Sequence, residues 1–275
     1  MNKLKNARIG IVGCGNMGMA IAERIKSAFK TVIFDKDKAK TKNISGVITA
    51  ANLSGLFDMT DVVIVAVKPQ DFDEVLNEIR ENINKKLIIS IAAGKKTKDI
   101  EKKLGRARVI RTMPNLLIRV GKGVTVLCKG EFATNNDLNF ARQIFNFLGV
   151  TLVLEENMMD AATAVSGSGP GFQFALLSKE DKDSWEDFTK NQFIPALTVS
   201  AKASGFSKQQ SELLAKHTGE GGLALLKESK ESPNALCVQV TSKNGTTEAG
   251  LKKLKGKIKF LPNAVKAAIE RAKKL

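Results

Sequence analysis

Three glycines near the start of the chain, Gly13, Gly15 and Gly18, have the type and spacing needed to bind a phosphate group. They form a G-x-G-x-x-G turn between an apolar run at 7–12 and a helical pattern. In such a turn the first glycine permits a tight bend, the second lets the backbone approach a pyrophosphate, and the third allows helix and strand to pack closely. The pyrophosphate would lie at the helix N-terminus. We therefore predict a dinucleotide site here, the alternative being a glycine-rich turn without a ligand.

An acidic residue follows at the end of a second strand-like run, 31–35. This residue, Asp35, lies about twenty positions beyond the glycines, where a carboxylate can accept hydrogen bonds from the ribose hydroxyls of NADH. Lys36 and Lys38 come directly after it and could instead hold the 2′-phosphate of NADPH. The sequence leaves the choice between NADH and NADPH open.

A polar segment at 241–248, T-S-K-N-G-T-T-E, precedes a helical pattern that begins near Thr247. The first N–H groups of a helix have no acceptor within the helix and can bind a carboxylate. Taken alone, the segment favours a simpler role, in which the hydroxyl of Thr246 or Thr247 caps the helix.

Composition excludes several other kinds of site. The net charge is +16, but the segment 251–275 alone holds nine Lys or Arg and one Glu, and the chain has no Tyr and one Trp for stacking on bases. We therefore expect a lysine-rich surface without nucleic-acid binding. His217 is the only histidine and the three cysteines have no C-x-x-C spacing, so we predict no metal site and reduced thiols.

No apolar run is long enough to span a bilayer, and the segment 1–6 leads into a strand and not into a signal-peptide core. We predict a cytoplasmic protein without membrane contact. A hydrophobic fraction of 43% over 275 residues supports one or two domains with a sizeable core.

Strand-like runs alternate with helical patterns along the first half of the chain. The predicted strands are 7–12, 31–35, 46–50, 61–67, 87–91, 109–113, 123–128 and 150–154. The uninterrupted apolar run at 61–67 is typical of a strand buried on both faces of a parallel sheet. From Asn157 onward the pattern is helical, and we place a domain boundary near Glu156.

Taken together, these motifs resemble the Δ1-pyrroline-5-carboxylate reductase family along nearly the whole chain. The segments that carry the resemblance are 11–18, 66–70, 90–94, 111–115, 159–161, 164–170, 240–242 and 245–247. The resemblance implies an α/β fold, with a Rossmann-like, doubly wound and mainly parallel sheet over 1–156. It also implies an all-helical dimerisation and substrate-binding domain over 157–275, in a homodimer or higher homo-oligomer.

The same resemblance implies an oxidoreductase that makes L-proline by hydride transfer from NADPH or NADH to a small imino acid. Such a reaction asks little of acid–base groups if the imine is protonated when it binds, because catalysis then consists mostly of orienting two reactants. Two alternatives stay open, namely reduction of a related cyclic imine and a catalytically inactive dinucleotide sensor of the same fold.

The matching positions give the expected site residues. Those expected to bind the cofactor are Gly13, Gly15, Asn16, Met17, Gly18, Asp35, Lys36, Ala66, Val67, Lys68, Pro69, Ala92, Ala93 and Asn115. Those expected to bind the substrate are Gly245, Thr246, Thr247 and Glu156, with Thr247 and Ser242 as the catalytic side chains. We expect the Thr247 hydroxyl to lie nearest the ring nitrogen.

The sequence also departs from the family pattern, mainly on the substrate side. Lys243 and Asn244 stand where the family loop has Pro and Gly, and Gln239 stands where Asp or Asn is usual. The segment 116–118 reads Leu-Leu-Ile in place of Thr-Pro-Ala, and a charged segment at 178–191 has the character of an insertion.

Overall fold

The computed structural model describes residues 7–42, 44–83 and 86–275, so the N-terminal segment 1–6 lies outside the described residues. The chain forms two compact units. The first contains the residues up to Thr112 together with Leu127–Leu148, and the second contains Met113–Val126 and Gly149–Leu275. Within the described ranges, no helix has the length and apolar character needed to cross a membrane.

Eight strands form one sheet, at the positions that the apolar runs predicted. They are β1 (Arg8–Val12), β2 (Lys30–Phe34), β3 (Ile48–Thr49), β4 (Val62–Val65), β5 (Leu87–Ser90), β6 (Arg108–Met113), β7 (Gly123–Lys129) and β8 (Gly149–Val153). The strand order is β3-β2-β1-β4-β5-β6-β7-β8. The β1–β2, β1–β4, β2–β3, β4–β5 and β5–β6 pairs are parallel.

The strand order reverses direction at β1, which pairs with β2 on one side and β4 on the other. The carboxyl ends of these three strands lie in register, with Val12 opposite both Phe34 and Val65. In open parallel sheets a ligand binds at the carboxyl ends of the strands where the order reverses. The glycine turn follows β1 directly and therefore lies at this point.

Thirteen α-helices lie among the described residues. Those before β8 are α1 (Asn16–Ile25), α2 (Leu53–Asp58), α3 (Pro69–Ile79), α4 (Thr97–Leu104) and α5 (Asn135–Asn146). Those after β8 are α6 (Met159–Ala162), α7 (Gly169–Leu177), α8 (Trp185–Phe188), α9 (Ile194–Ala203), α10 (Lys208–Ser229), α11 (Pro233–Val240), α12 (Thr246–Leu254) and α13 (Leu261–Ala272). The predicted order, an α/β part followed by a helical part, is confirmed.

The core of the first unit explains why its strands read as continuous apolar runs. Every residue of β4 and β5 is buried, because helices pack on both faces of the sheet. Phe72, Leu76 and Ile79 recur at helical spacing on α3, and they join the same core cluster as Val63 and Ile88. Hydrophobic burial thus fixes the sheet from which the glycine turn projects.

The glycines and Pro170 in the small-residue segment at 164–170 would suggest that a helix ends there. In the structure, however, the chain stays helical through this segment. The chain passes from α6 through a π-helical turn, Thr163–Gly167, into α7. Pro170 is accommodated because it occupies the first turn of α7, where no intrahelical N–H donor is needed. A π turn of this kind changes the direction in which side chains project, and such turns are common at functional sites.

The charged segment at 178–191 is largely helical. It contains a 3₁₀ turn, Lys182–Ser184, then α8, and the start of a second π turn, Thr189–Phe193, which leads into α9. Phe188 and Thr189 are buried, so the inner face of this segment belongs to the core of the second unit.

Candidate active site

The glycine turn after β1 is built on backbone contacts that leave no room for side chains. Gly13 has φ +98°, and a Cβ added there would lie 2.8 Å from the carbonyl oxygen of Ala66. A Cβ on Gly18 would overlap the carbonyl oxygen of Gly13. Gly13 N–H donates to the Phe34 carbonyl at 2.8 Å, and Ala66 N–H donates to that of Val12 at 2.7 Å. The turn is thus fixed against the ends of both neighbouring strands.

Gly15 differs from the other two glycines, because nothing lies within 4 Å of the position that its Cβ would take. It is the N-cap of α1, and no side chain there accepts a hydrogen bond from the first turn of the helix. The first turn of α1 also contains no acidic residue. The N–H groups that begin at Asn16 and Met17 are therefore free to bind an anion from outside the protein.

A cavity of about 370 Å³ opens next to this turn within the first unit. Of the residues expected to bind the cofactor, those that line it are Gly13, Gly15, Asp35, Lys36, Ala66, Val67 and Lys68. They come from the carboxyl ends of β1, β2 and β4. The structure thus brings together residues that the sequence places more than fifty positions apart.

Asp35 is held in place by the protein itself. One carboxylate oxygen, Oδ2, accepts from Cys14 N–H at 2.7 Å, and Oδ1 accepts from Asp37 N–H at 2.9 Å. Lys40 Nζ lies 3.7 Å from Oδ1. Each carboxylate oxygen can accept a second hydrogen bond. Asp35 therefore joins the end of β2 to the glycine turn and keeps acceptor capacity towards the cavity that it lines.

Lys36 is paired with an acid across the same cavity. Its Nζ lies 2.8 Å from Asp71 Oδ1, in the first turn of α3. This hydrogen bond raises the pKa of Lys36 and lowers the pKa of Asp71, so both groups carry charge throughout the neutral range. The pair is exposed to solvent, so an anion that enters the cavity competes with Asp71 for the ammonium group.

Several other predicted cofactor residues lie at strand ends without lining this cavity. Pro69 is the first residue of α3, and Ala92 and Ala93 follow β5. Asn115 lies in the second unit and is buried, where its Nδ2 donates to the Ser166 carbonyl at 3.0 Å and its Oδ1 accepts from Val124 N–H at 3.1 Å. The polar atoms of Asn115 thus bind protein, which makes it a structural support for the segment around the π turn.

In the second unit, the polar loop at 241–245 ends at α12. Gly245 is the N-cap of α12 and offers no side-chain oxygen, while Gly245 N–H donates to the Ser242 carbonyl at 3.0 Å. A Cβ on Gly245 would overlap Ser242 Oγ and lie 3.0 Å from the Ser242 carbonyl oxygen, so the loop is closely packed at this position. The first N–H groups of α12 are therefore uncapped, as they are in α1.

The expectation that Thr246 or Thr247 caps this helix is wrong. Both hydroxyls turn to Ser168, whose Oγ lies 2.9 Å from Thr246 Oγ1 and accepts from Thr247 Oγ1 at 3.1 Å. Ser168 is fully buried and Thr247 nearly so. The site prediction did not include Ser168, and the only signal for it in the sequence was its place in a run of small residues at 166–170.

The two remaining residues predicted for the substrate side, Ser242 and Glu156, are more exposed to solvent than Thr247. Ser242 is exposed at the start of the loop, and Glu156 is half-buried in the 3₁₀ turn Glu156–Met158, just before α6. The loop itself is held by two charged neighbours. Asn244 N–H donates to Glu248 Oε2 at 2.6 Å, and Arg271 Nε donates to the Asn244 carbonyl at 2.6 Å.

The glycine turn at the point where the strand order reverses, together with the uncapped N-terminus of α1, defines the first unit as a Rossmann-like domain of the dinucleotide-binding class. A pyrroline-5-carboxylate reductase of Aquifex aeolicus (strain VF5) is 36% identical over 276 residues, covering 98% of this chain and 97% of the relative. The chain therefore belongs to the pyrroline-5-carboxylate reductase family. A relative from Glycine max is 31% identical over 97% of this chain and 95% of its own length.

Family models and solved structures agree with this assignment. Residues 191–275 match the model described as pyrroline-5-carboxylate reductase dimerisation, and residues 8–94 match one described as NADP oxidoreductase coenzyme F420-dependent. A pyrroline-5-carboxylate reductase structure from Coxiella burnetii is 30% identical with TM-score 0.66, covering 98% of both chains. The Plasmodium falciparum pyrroline carboxylate reductase with NADP bound is 28% identical with TM-score 0.63, also covering 98% of both chains.

Substituting the glycines one at a time tests the geometry of the turn. We expect Gly15→Val to fold and to lose dinucleotide binding, because its side chain would occupy the open space in front of the α1 N–H groups. Gly18→Ala serves as the comparison variant. It should lower the thermal midpoint of unfolding, because its methyl group would clash with the carbonyl oxygen of Gly13. Circular dichroism and cofactor fluorescence titration measure the two effects. Normal dinucleotide affinity in Gly15→Val would refute the site.

The thiol beside the turn gives a second test. Burial, with a smaller contribution from the Asp35 charge, raises the pKa of Cys14 from 9.0 to about 11. At pH 8 this leaves about a hundredfold less thiolate than an ordinary cysteine has, and the thiolate is the reactive form. We expect iodoacetamide at pH 8 to leave Cys14 unmodified in the native protein and to modify it after denaturation, as measured by peptide mass spectrometry. Rapid native labelling of Cys14 would contradict the pKa shift.

Proposed function

We propose that this protein reduces Δ1-pyrroline-5-carboxylate to L-proline, the last step of proline biosynthesis, with NADPH or NADH as the hydride donor. The observation that carries the proposal is the uncapped N-terminus of α12 at Gly245, which lies directly beside the linked hydroxyls of Thr246 and Thr247. It offers N–H donors for a small carboxylate and a hydroxyl for a ring nitrogen. The full-length identity to reductases of this name supports the same substrate.

The first unit fits a dinucleotide. Gly13 and Gly18 have no space for a side chain, and Gly15 leaves open space in front of uncapped N–H groups. In our proposal the pyrophosphate binds the backbone of the predicted turn residues, Gly13, Gly15, Asn16, Met17 and Gly18. Asp35 and Lys36 flank the adenosine ribose, and the rest of the cofactor is bordered by Ala66, Val67, Lys68, Pro69, Ala92 and Ala93.

The second unit would bind the substrate by its two ends. The N–H groups that follow Gly245 hold the carboxylate, where the partial positive charge of the helix N-terminus adds to the hydrogen bonds. The Thr247 hydroxyl contacts the ring nitrogen. Glu156 and Ser242 are proposed as further substrate-side residues, following the family pattern.

The chemistry then consists mainly of orientation. Bound NAD(P)H supplies the hydride. The residues of this chain fix the carboxylate and the ring nitrogen, and they need not supply a strong acid or base if the substrate binds in its protonated form. His217, the only histidine, lies on α10, where burial lowers its pKa, and it has no part in the proposed site.

We further propose that the protein works in the cytoplasm as a homodimer or a higher homo-oligomer. The match of 191–275 to a dimerisation model supports the assembly. The reaction also needs a supply of reduced nicotinamide, which the cytoplasm contains.

Turnover tests the proposed function directly. Purified protein should oxidise NADPH or NADH, followed by absorbance, when pyrroline-5-carboxylate is added. We expect Thr247→Ala to lower kcat/KM by about tenfold to a hundredfold, because a hydrogen bond to a charged group is lost. The dissociation constant for the dinucleotide should not change, since Thr247 belongs to the second unit.

Thr198→Ala serves as the matched control, because the Thr198 hydroxyl donates only to the Ile194 carbonyl of its own helix. It should retain the turnover of the unmodified protein. No turnover with either cofactor would reject the proposed reaction. Much faster turnover of a six-membered ring imine would show that the protein reduces a different cyclic imine. An unchanged kcat/KM in Thr247→Ala would remove this threonine from the site.

Cofactor preference can be tested at the pair between Lys36 and Asp71. Asp71→Asn removes the carboxylate that competes with a 2′-phosphate for the Lys36 ammonium. We expect the affinity for NADPH relative to NADH to rise by about two- to fivefold, as befits an exposed ion pair. Asp99→Asn makes the same charge change at an exposed position on α4 and should leave the ratio unchanged. An equal ratio in both variants would show that Lys36 does not contact the 2′-phosphate.

A further inference from the structure

Three hydroxyls from two distant segments meet in the interior of the second unit. Ser168 Oγ lies 2.9 Å from Thr246 Oγ1 and 3.1 Å from Thr247 Oγ1, although 78 and 79 positions separate them in the sequence. Ser168 is 0% exposed and Thr247 is 4% exposed. We call these three residues the hydroxyl cluster. Ser168 and Thr247 are shielded from solvent and Thr246 is half-buried, so the hydrogen bond between Ser168 and Thr247 is not readily exchanged for water.

The direction of the hydrogen bonds determines what the cluster offers to a ligand. Thr247 Oγ1 donates to Ser168 Oγ. A hydroxyl has one hydrogen and two acceptor sites, so Thr247 has no further hydrogen to give and is left with acceptor capacity alone. Ser168 accepts from Thr247, and its hydrogen bond with Thr246 Oγ1 can run in either direction, because each hydroxyl can donate or accept.

The backbone around Ser168 keeps this arrangement rigid. Ser168 N–H donates to the Thr163 carbonyl at 2.8 Å across the π turn, so the serine is fixed at the start of α7. One turn further, a Cβ on Gly171 would lie only 2.6 Å from Thr247 Cγ2. The absence of a side chain there makes room for the Thr247 methyl group, which fixes the rotamer that points its hydroxyl at Ser168.

We propose that Ser168 is a positioning residue that makes the Thr247 hydroxyl a hydrogen-bond acceptor, so that the site selects a substrate whose ring nitrogen carries a proton. This inference rests on the proposed function. An acceptor suits the N–H of a protonated imine, whereas the lone pair of a neutral imine nitrogen requires a donor.

The proton balance of the reaction agrees with this selection. Hydride adds to the imine carbon and brings both electrons of the new C–H bond, and the π pair of the C=N bond moves to nitrogen. That nitrogen already carries its proton, so the product is a neutral secondary amine and the cofactor leaves as NADP⁺ or NAD⁺. No side chain has to deliver a proton during the step.

Two non-reacting ligands distinguish a positioning role from a merely structural one. L-Proline has ring N–H groups that donate to Thr247, whereas tetrahydrofuran-2-carboxylate has a ring oxygen that only accepts. Ser168→Ala frees the Thr247 hydroxyl to rotate and donate. We expect the variant to bind L-proline about five- to tenfold more weakly and to bind the oxygen analogue no more weakly than the unmodified protein does. Calorimetry in the presence of oxidised cofactor measures both constants.

Two further variants keep the test independent of folding. Thr246→Val removes a hydroxyl that helps to hold Ser168 in place while preserving shape, so it should shift the ratio of the two affinities in the same direction. Ser200→Ala is the matched control, because the Ser200 hydroxyl is equally buried but donates only to the Ala196 carbonyl in α9. It should change neither constant.

Kinetics separate this inference from the proposed function. If the unmodified protein turns over pyrroline-5-carboxylate, kcat/KM should fall at high pH with loss of the protonated imine, and Ser168→Ala should make this fall shallower. An equal loss of affinity for both ligands, or no loss for either, would overturn the role of Ser168 while the reaction stands. Absence of turnover and of L-proline binding in the unmodified protein would instead reject the proposed function.

Discussion

The residues that we propose to bind ligands depend on one property of the α-helix, namely that its first N–H groups have no acceptor within the helix. Side chains, water or ligands can supply the missing acceptors, and α2, α5, α10 and α11 have a side-chain cap here. Here α5 and α10 carry complete capping boxes at Thr134 and Ser207, and these helices serve the architecture. Among the described helices, a glycine is the N-cap of α1 and of α12 only, and neither has a side-chain cap.

Leaving these two N-termini open has structural consequences. A glycine N-cap offers no hydroxyl or carboxylate to the first N–H groups. The first turn of α1 has no acidic residue, whereas that of α12 contains Glu248, which accepts from Asn244 N–H. The surrounding backbone must then fix the turn without help from a cap. Gly13 and Gly18 do this by direct contact with backbone atoms, and the loop before Gly245 does it through Glu248 and Arg271. The N-termini of α1 and α12 belong to separate compact units.

The sequence predicted the structure around the N-terminus of α1 better than the structure around the N-terminus of α12. The glycine turn is local, since its three glycines lie within six residues, and the buried strands around it are continuous apolar runs. The hydroxyl cluster depends on a contact between positions 79 residues apart, and no local pattern can specify that. For the same reason local reasoning assigned Thr246 and Thr247 to helix capping, whereas a tertiary contact with Ser168 takes both hydroxyls.

Two of the departures from the family pattern have a structural explanation. Asn244 has φ +58°, a left-handed conformation that glycine adopts freely and asparagine tolerates better than most residues, so the loop keeps its course without glycine. Arg119, in the 3₁₀ turn Leu116–Val120 that replaces the usual Thr-Pro-Ala, donates to Gln239 at 2.7 Å and to Glu231 at 3.0 Å.

Gln239 in turn donates to Glu231, which closes a ring of three side chains next to the helix α11 that leads into the loop. An aspartate or asparagine at 239 would be one methylene shorter, so the unusual glutamine and the unusual turn fit each other. The changed residues therefore form a network beside the start of the loop, while Gly245, Thr246 and Thr247, the residues that face the ligand in our proposal, are kept. A chain can alter the support of a binding loop extensively as long as the altered supports contact each other, because the ligand interacts with the geometry and not with the residues that maintain it.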